Sequence, residues 1–300
     1  MRRVMLLATV LGLVASLTSA CRLPRPADDH TVVASFYPLY FIAERVAGRY
    51  NEVIDLTPPG VEPHEYELTV RQVADIDNAR VGFYERGIAP SVDQAMDNDS
   101  PDHVLDVADV VHLASPVSGS GVESTSDDKD PHFWQDPTLM AEATGAFART
   151  MARADPAHAT YYRQQARSLT RQLMGLDRDY RTTLTRCRID TIVVSHDAFE
   201  YLARRYGVDV VPIAGLEPDA EPSLQRLHDL AGLIRDRGVT TVFFETLAGP
   251  ELAESLARDV GVRTAVLDPA EGLTSDDAHA TYLTLMRRNL AALAKAGDCS

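Results

Sequence analysis

Three histidines stand in contexts that end a strand or pin a loop: Pro63-His64-Glu65, Asp130-Pro131-His132-Phe133-Trp134-Gln135-Asp136-Pro137 and Ser195-His196-Asp197. Neutral imidazole is a strong ligand for borderline transition metals, so the set reads as a metal site. Separations of 68 and 64 residues exclude two ligands on one helical turn. The fold itself must bring the ligands together.

The elements that position them follow from the hydrophobic pattern. Thr31 to Phe36, Glu52 to Thr57, Arg80 to Tyr84 and Val104 to Leu113 read as short strands, with helices at Leu39 to Ala47 and Leu68 to Asn78. The alternation returns with strands at Thr191 to Val194, Val208 to Ile213, Val239 to Phe244 and Arg263 to Leu267. Helices at Phe199 to Tyr206, Ser223 to Arg237 and Pro250 to Val260 lie between them. Strand, helix, strand implies parallel pairing, so each half is expected to be an α/β sandwich.

Between the halves, Tyr162, Ala166, Leu169, Leu173, Leu176, Tyr180 and Leu184 recur at helical spacing, with Asp155 as a candidate cap and Pro156 suited to the first turn. This predicts one long stiff helix. Its single apolar stripe suits packing on the chain's own lobes, hence a monomer. The expected organisation is residues 31–153 as the first lobe, 154–187 as the linking helix and 188–300 as the second lobe.

Ligands in open parallel sheets bind beyond the carboxyl ends of strands. His64 follows the second strand through Pro58-Pro59-Gly60, and His196 directly follows the strand from Thr191. Val266-Leu267-Asp268-Pro269 ends the last strand and offers a carboxylate, making Asp268 the candidate fourth ligand. Glu245, also at a strand end, is the candidate for orienting a histidine from behind. The remaining histidines, His30, His103, His112, His158, His228 and His279, read as ordinary polar residues.

At the N-terminus, Arg2 and Arg3 precede an apolar run from Val4 to about Leu17, then Leu17-Thr18-Ser19-Ala20-Cys21. The run is shorter than the ~20 residues that span a bilayer. It has the form of a bacterial lipoprotein signal over residues 1–20, with Cys21 as the lipidated residue and residues 21–30 as a tether. An ordinary secretory signal is the alternative. Loss of Arg2 and Arg3 with the signal takes the net charge from -15 to about -17, which argues against nucleic acid as a partner. Cys187 and Cys299 remain, and in an oxidising compartment they read as a disulfide or else as two free thiols.

In these motifs the chain resembles the metal-binding lipoproteins of bacterial ABC transporters for zinc and manganese. The likeness rests on Pro63-His64-Glu65-Tyr66-Glu67, the Asp130 to Pro137 run, Ser195 to Tyr201 and Val266 to Pro269, and it extends over residues 31 to 290. It implies two α/β lobes joined by a rigid helix, with the metal between them. His64 and His132 would then come from the first lobe and His196 and Asp268 from the second. It further implies an ABC permease as partner, a lipid-anchored extracytoplasmic location, and an accessory zinc chaperone.

Three imidazoles and one carboxylate suit Zn²⁺, whereas Mn²⁺ prefers more oxygen donors. A closed set leaves no position for an activated water, so a carrier is expected rather than a hydrolase using Glu65 or Glu245 as base. An adhesin is a third reading, with no support in the residues. Two features depart from the resemblance. Ser115 to Asp130 is short and lacks histidine, although Glu123, Asp127, Asp128 and Asp130 could hold zinc transiently or simply be solvated. Where relatives often have Leu-Gly after the last motif, this chain has Ala270-Glu271-Gly272.

Overall fold

The computed structural model describes residues 30–98, 101–115, 129–216, 222–274, 277 and 279–300. The expected lipoprotein signal, Cys21 and most of the acidic loop lie outside the described residues.

Two four-stranded, all-parallel sheets form the frame. The first contains β1 (Thr31–Ala34), β2 (Glu52–Asp55), β3 (Val81–Tyr84) and β4 (His103–Asp106) in the order β2-β1-β3-β4. The second repeats this order with β5 (Thr191–Val194), β6 (Asp209–Pro212), β7 (Thr241–Phe244) and β8 (Arg263–Val266), as β6-β5-β7-β8. The central strands β1, β3 and β5 are buried along their whole length, as strands covered on both faces must be. In each sheet the order reverses beside the first strand, which opens a crevice at the carboxyl edge.

In chain order the helices are α1 (Tyr37–Ala47), α2 (Val70–Asn78), α3 (Pro90–Asn98), α4 (Pro137–Ala154), α5 (Ala159–Leu184), α6 (Glu200–Tyr206), α7 (Leu224–Arg237), α8 (Glu251–Val260) and α9 (Tyr282–Ala296). The long helix α5 has 26 residues, a length of about 39 Å at 1.5 Å per residue. All seven residues of the expected apolar stripe are buried. They face α4, α1 and α9.

Asp155 does not cap α5. A short 3₁₀ turn, Pro156–His158, intervenes, and the Asp155 carboxylate instead accepts from the Tyr162 hydroxyl at 2.5 Å and pairs with His158 Nδ1 at 2.7 Å. Proline fixes the first turn, while the carboxylate ties α5 to the end of α4.

One apolar core runs from the first lobe across α5 into the second lobe, through Leu169, Leu173, Leu176, Phe199, Tyr201, Tyr282 and Met286. A smaller core beneath α7 and α8 belongs to the second lobe alone. Polar bonds reinforce the shared core. Arg205 of α6 lies 2.8 Å from Asp177 on α5 and 3.4 Å from Asp136 at the start of α4. Tyr180 donates to the Met286 carbonyl at 2.6 Å. Cys187 and Cys299 are disulfide-bonded, so α9 and the last residues are fastened to the end of α5.

Candidate metal centre

His132 is delivered by local chemistry legible in its motif. In the Asp130 to Pro137 run, Asp130 Oδ1 accepts from the His132 backbone N–H at 3.0 Å and lies 2.8 Å from His132 Nδ1. The second aspartate, Asp136, caps α4 through Thr138 N at 2.8 Å, with Pro137 in the first turn. One carboxylate aims the ring; the other starts the helix.

His196 is placed by β5, whose last residue is Val194. Its Nδ1 lies 2.5 Å from Glu245 Oε1 at the end of β7, and the Ser195 hydroxyl donates to the same oxygen. Such backing fixes ring orientation and makes the outward nitrogen a better donor. His64 comes from the loop after β2. Gly60, with φ of +83°, turns this loop so that its N–H reaches the Leu273 carbonyl at 2.7 Å.

The three Nε2 atoms converge on Glu271. Ligand atoms of His64, His132, His196 and Glu271 all lie within 4.8 Å of one another. Glu271 Oε1 is 3.3 Å from His132 Nε2, 3.7 Å from His196 Nε2 and 4.0 Å from His64 Nε2. All four residues are buried, with His132 and His196 fully enclosed. None of the three Nε2 atoms or the Glu271 oxygens meets the geometry of a hydrogen bond. Buried polar atoms are seldom left so, and a cation at their centre would satisfy all of them.

Asp268 is not in the cluster, contrary to the expectation from its motif. Its Oδ1 accepts from Ala270 N–H at 2.7 Å and its Oδ2 from the Thr246 hydroxyl at 2.9 Å. Asn289 brackets its backbone on both sides, at 3.0 and 2.5 Å. Asp268 therefore builds the turn that presents Glu271. Ala270 adopts φ of +61°, the left-handed region, which swings the next side chain inward. Trp134 Nε1 at 2.7 Å and Gln135 Nε2 at 2.5 Å hold the Pro269 carbonyl, tying this turn to the His132 loop.

Charge is shared unevenly among the four. Burial lowers the His64 imidazole to about 4. Burial also opposes charge on His132, but Asp130 and Glu271 outweigh it and hold the ring at about 9. In His196 the same contest is won by Glu245 and Glu271, well above the ordinary value. Glu271, although buried, is held well below the usual carboxylate range by the facing His132 and His196. At the margin, burial and Glu271 push the Glu62 carboxyl up to about 8, with Oε1 4.0 Å from His64 Nε2.

Three nitrogens and one carboxylate, with His132 backed by Asp130 and His196 by Glu245, make a four-donor set of the kind zinc prefers. Glu65 is exposed, and Glu245 is committed to Ser195 and His196.

Residues 32–296 match the family model described as zinc-uptake complex component A, periplasmic. The chain is 31% identical over 277 residues to the high-affinity zinc uptake system protein ZnuA of Bacillus subtilis, covering 89% of this chain and 87% of that protein. It is also 31% identical over 310 residues to the zinc-binding lipoprotein AdcA of Streptococcus pneumoniae, of which it spans 62% of the length. Among solved structures, the Zn(II)-bound ZnuA-like domain of AdcA superimposes with a TM-score of 0.76 at 31% identity, over 90% of this chain and 99% of that one. The laminin-binding protein Lmb of Streptococcus agalactiae gives a TM-score of 0.79 at 28% identity, over 89% and 98% of the two chains.

Proposed function

The chain belongs to the family of periplasmic component A of zinc-uptake complexes, and on that premise we propose that it captures Zn²⁺ through His64, His132, His196 and Glu271 and delivers it to an ABC permease. The observation that carries the ligand assignment is the convergence of three unsatisfied Nε2 atoms on one buried carboxylate. A tetrahedral N₃O set favours zinc over manganese, which takes more oxygen donors and a higher coordination number. Four protein donors close the coordination sphere, so the bound ion is cargo and not a catalyst.

Sitting between the lobes suits transfer. The first lobe supplies His64 and His132, and the second supplies His196 and Glu271. Small displacement of one lobe would therefore dismantle the site. The lipoprotein signal read over residues 1–20, with Cys21 directly after it, supports anchoring of the carrier at the outer face of a membrane.

Metal analysis of the protein purified without its signal, followed by zinc and manganese titration of the stripped form, tests the reading. One zinc per chain with much tighter binding than manganese is expected. Tighter manganese binding would reassign the cargo, and absence of either metal would remove the function.

A further inference from the structure

The metal cluster lies at the carboxyl edges of both sheets, so a subunit that receives the ion must approach there. Two features of this edge, one in each lobe, take no part in the cluster. Helices α2 and α7 occupy equivalent places: α2 links β2 to β3, and α7 links β6 to β7.

Their first turns are built alike. Thr69 accepts from Gln72 N–H at 3.3 Å, and Ser223 accepts from Arg226 N–H at 3.1 Å. The side chain of the third helical residue then reaches back to the strand before it. Gln72 Nε2 donates to the Leu56 carbonyl just beyond β2, and Arg226 Nη2 donates to the Pro212 carbonyl that ends β6, each at 2.5 Å. These bonds fix both helix starts at the carboxyl edge.

The first helical residue of each is a large apolar side chain left in solvent. Val70 is 89% exposed and Leu224 86%, whereas the other exposed large apolar residues described, Val104, Val110 and Val266, reach only 40%. A single exposed aliphatic residue needs no explanation. Matched exposure at equivalent positions of both lobes, on the face through which the metal must leave, does.

We propose that Val70 and Leu224 are a two-point apolar seat for the membrane-spanning subunit that takes the zinc, one contact per lobe. The inference rests on the delivery reading above. A second copy of this chain is the poorer occupant, because each copy without its signal carries a net charge of about -17 and like charges repel. Engaging both lobes at once also makes docking sensitive to their relative placement, on which the site between them depends.

The test uses proteoliposomes holding the partner ABC transporter, with zinc-dependent ATP hydrolysis followed as zinc-loaded carrier is titrated. Val70→Asp with Leu224→Asp should raise the half-saturating carrier concentration roughly 10-fold or more, as expected for loss of central interface contacts. Each single change should fall between. Val70→Leu with Leu224→Val should behave as wild type, and all variants should bind zinc within about 2-fold of it. Unchanged half-saturation in the double aspartate variant overturns the proposal. So does a wild-type dimer at working concentration that the double variant abolishes, which would give the seat to a second copy. A wild-type carrier that binds zinc but never stimulates hydrolysis defeats the delivery reading, and the seat falls with it.

Discussion

Trp134 Nε1 donates a hydrogen bond of 2.7 Å to the carbonyl of Pro269, joining the loop that carries His132 to the turn that carries Glu271. The indole is wholly buried and packs edge-on against Phe36, with ring centroids 4.9 Å apart. A ligand from one lobe is thus positioned by a side chain of the other. Conversion of Trp134 to Phe keeps most of the apolar volume and removes the donor; zinc affinity should fall by about 10- to 100-fold, the range for loss of a supporting partner. Competition with a chromophoric chelator measures it.

The ligand assignment separates Glu271 from Asp268. Glu271→Ala should weaken zinc binding by more than about 100-fold, because it removes a donor and leaves facing imidazoles unbalanced. Asp268→Asn should lose about 10- to 100-fold through the slackened turn. A titration in which Asp268→Asn is the more damaging change would restore Asp268 as ligand.

Glu245 acts on the far side of His196. Glu245→Gln removes the charge that holds the imidazole in place while preserving size, so a loss of about 10- to 100-fold is expected with one zinc still bound per chain. Complete loss of stoichiometric binding would promote Glu245 to a ligand.

Protons compete with the metal in a defined window. Without metal, His132 titrates at about 9 and His196 well above its ordinary value, while His64, at about 4, is neutral. At pH 7 the His132 ring therefore carries a proton that zinc must displace, and the raised His196 adds to the competition. Zinc affinity should rise with pH up to about 9, by about tenfold per pH unit for each displaced proton, and fall on acidification. Calorimetry in buffers of different ionisation enthalpy should count at least one proton released. A count near zero at neutral pH would show that both rings are already neutral.

Ala270 holds a conformation that costs an L-residue about 1–2 kcal/mol. Ala270→Gly removes that cost but adds about 0.5–1 kcal/mol of unfolded-state entropy, so folding stability should rise by up to about 1 kcal/mol. Ala270→Val, with its branched side chain, should destabilise by more than about 1 kcal/mol and displace Glu271. Urea unfolding of the zinc-free protein distinguishes the two, and equal midpoints would remove the argument from strain.

The disulfide spans 112 residues of sequence. By loop entropy, its loss should destabilise the fold by roughly 4 to 5 kcal/mol, with native strain able to reduce that. Mass spectrometry of nonreduced protein should show Cys187 and Cys299 joined, and the Cys187→Ser and Cys299→Ser double variant should unfold at lower denaturant concentration. Two freely alkylated thiols in the wild type would remove the bridge.

Residue type and short-range pattern were enough for much of this protein. β-branched runs marked the strands, although of Val104 to Leu113 only the part to Asp106 is strand and Val107–Asp109 is a 3₁₀ turn; helical spacing marked α5, and the Pro-His-Glu, Asp-Pro-His and Ser-His-Asp contexts marked three residues that the fold brings together. Helices α3, α4 and α9 escaped that reading, although Asp136-Pro137 is itself a helix start. The fourth member of the cluster escaped for a different reason. At the end of β8 the carboxylate beside Pro269 has the stronger local signature, and Glu271 has none. Only the assembled chain determines which acid faces the histidines: Asp268 spends its oxygens on Ala270 and Thr246, Ala270 turns left-handed, and Trp134 and Gln135 from the other lobe hold Pro269. A side chain's direction after a turn depends on backbone dihedrals set by distant partners, and no local spacing encodes those partners.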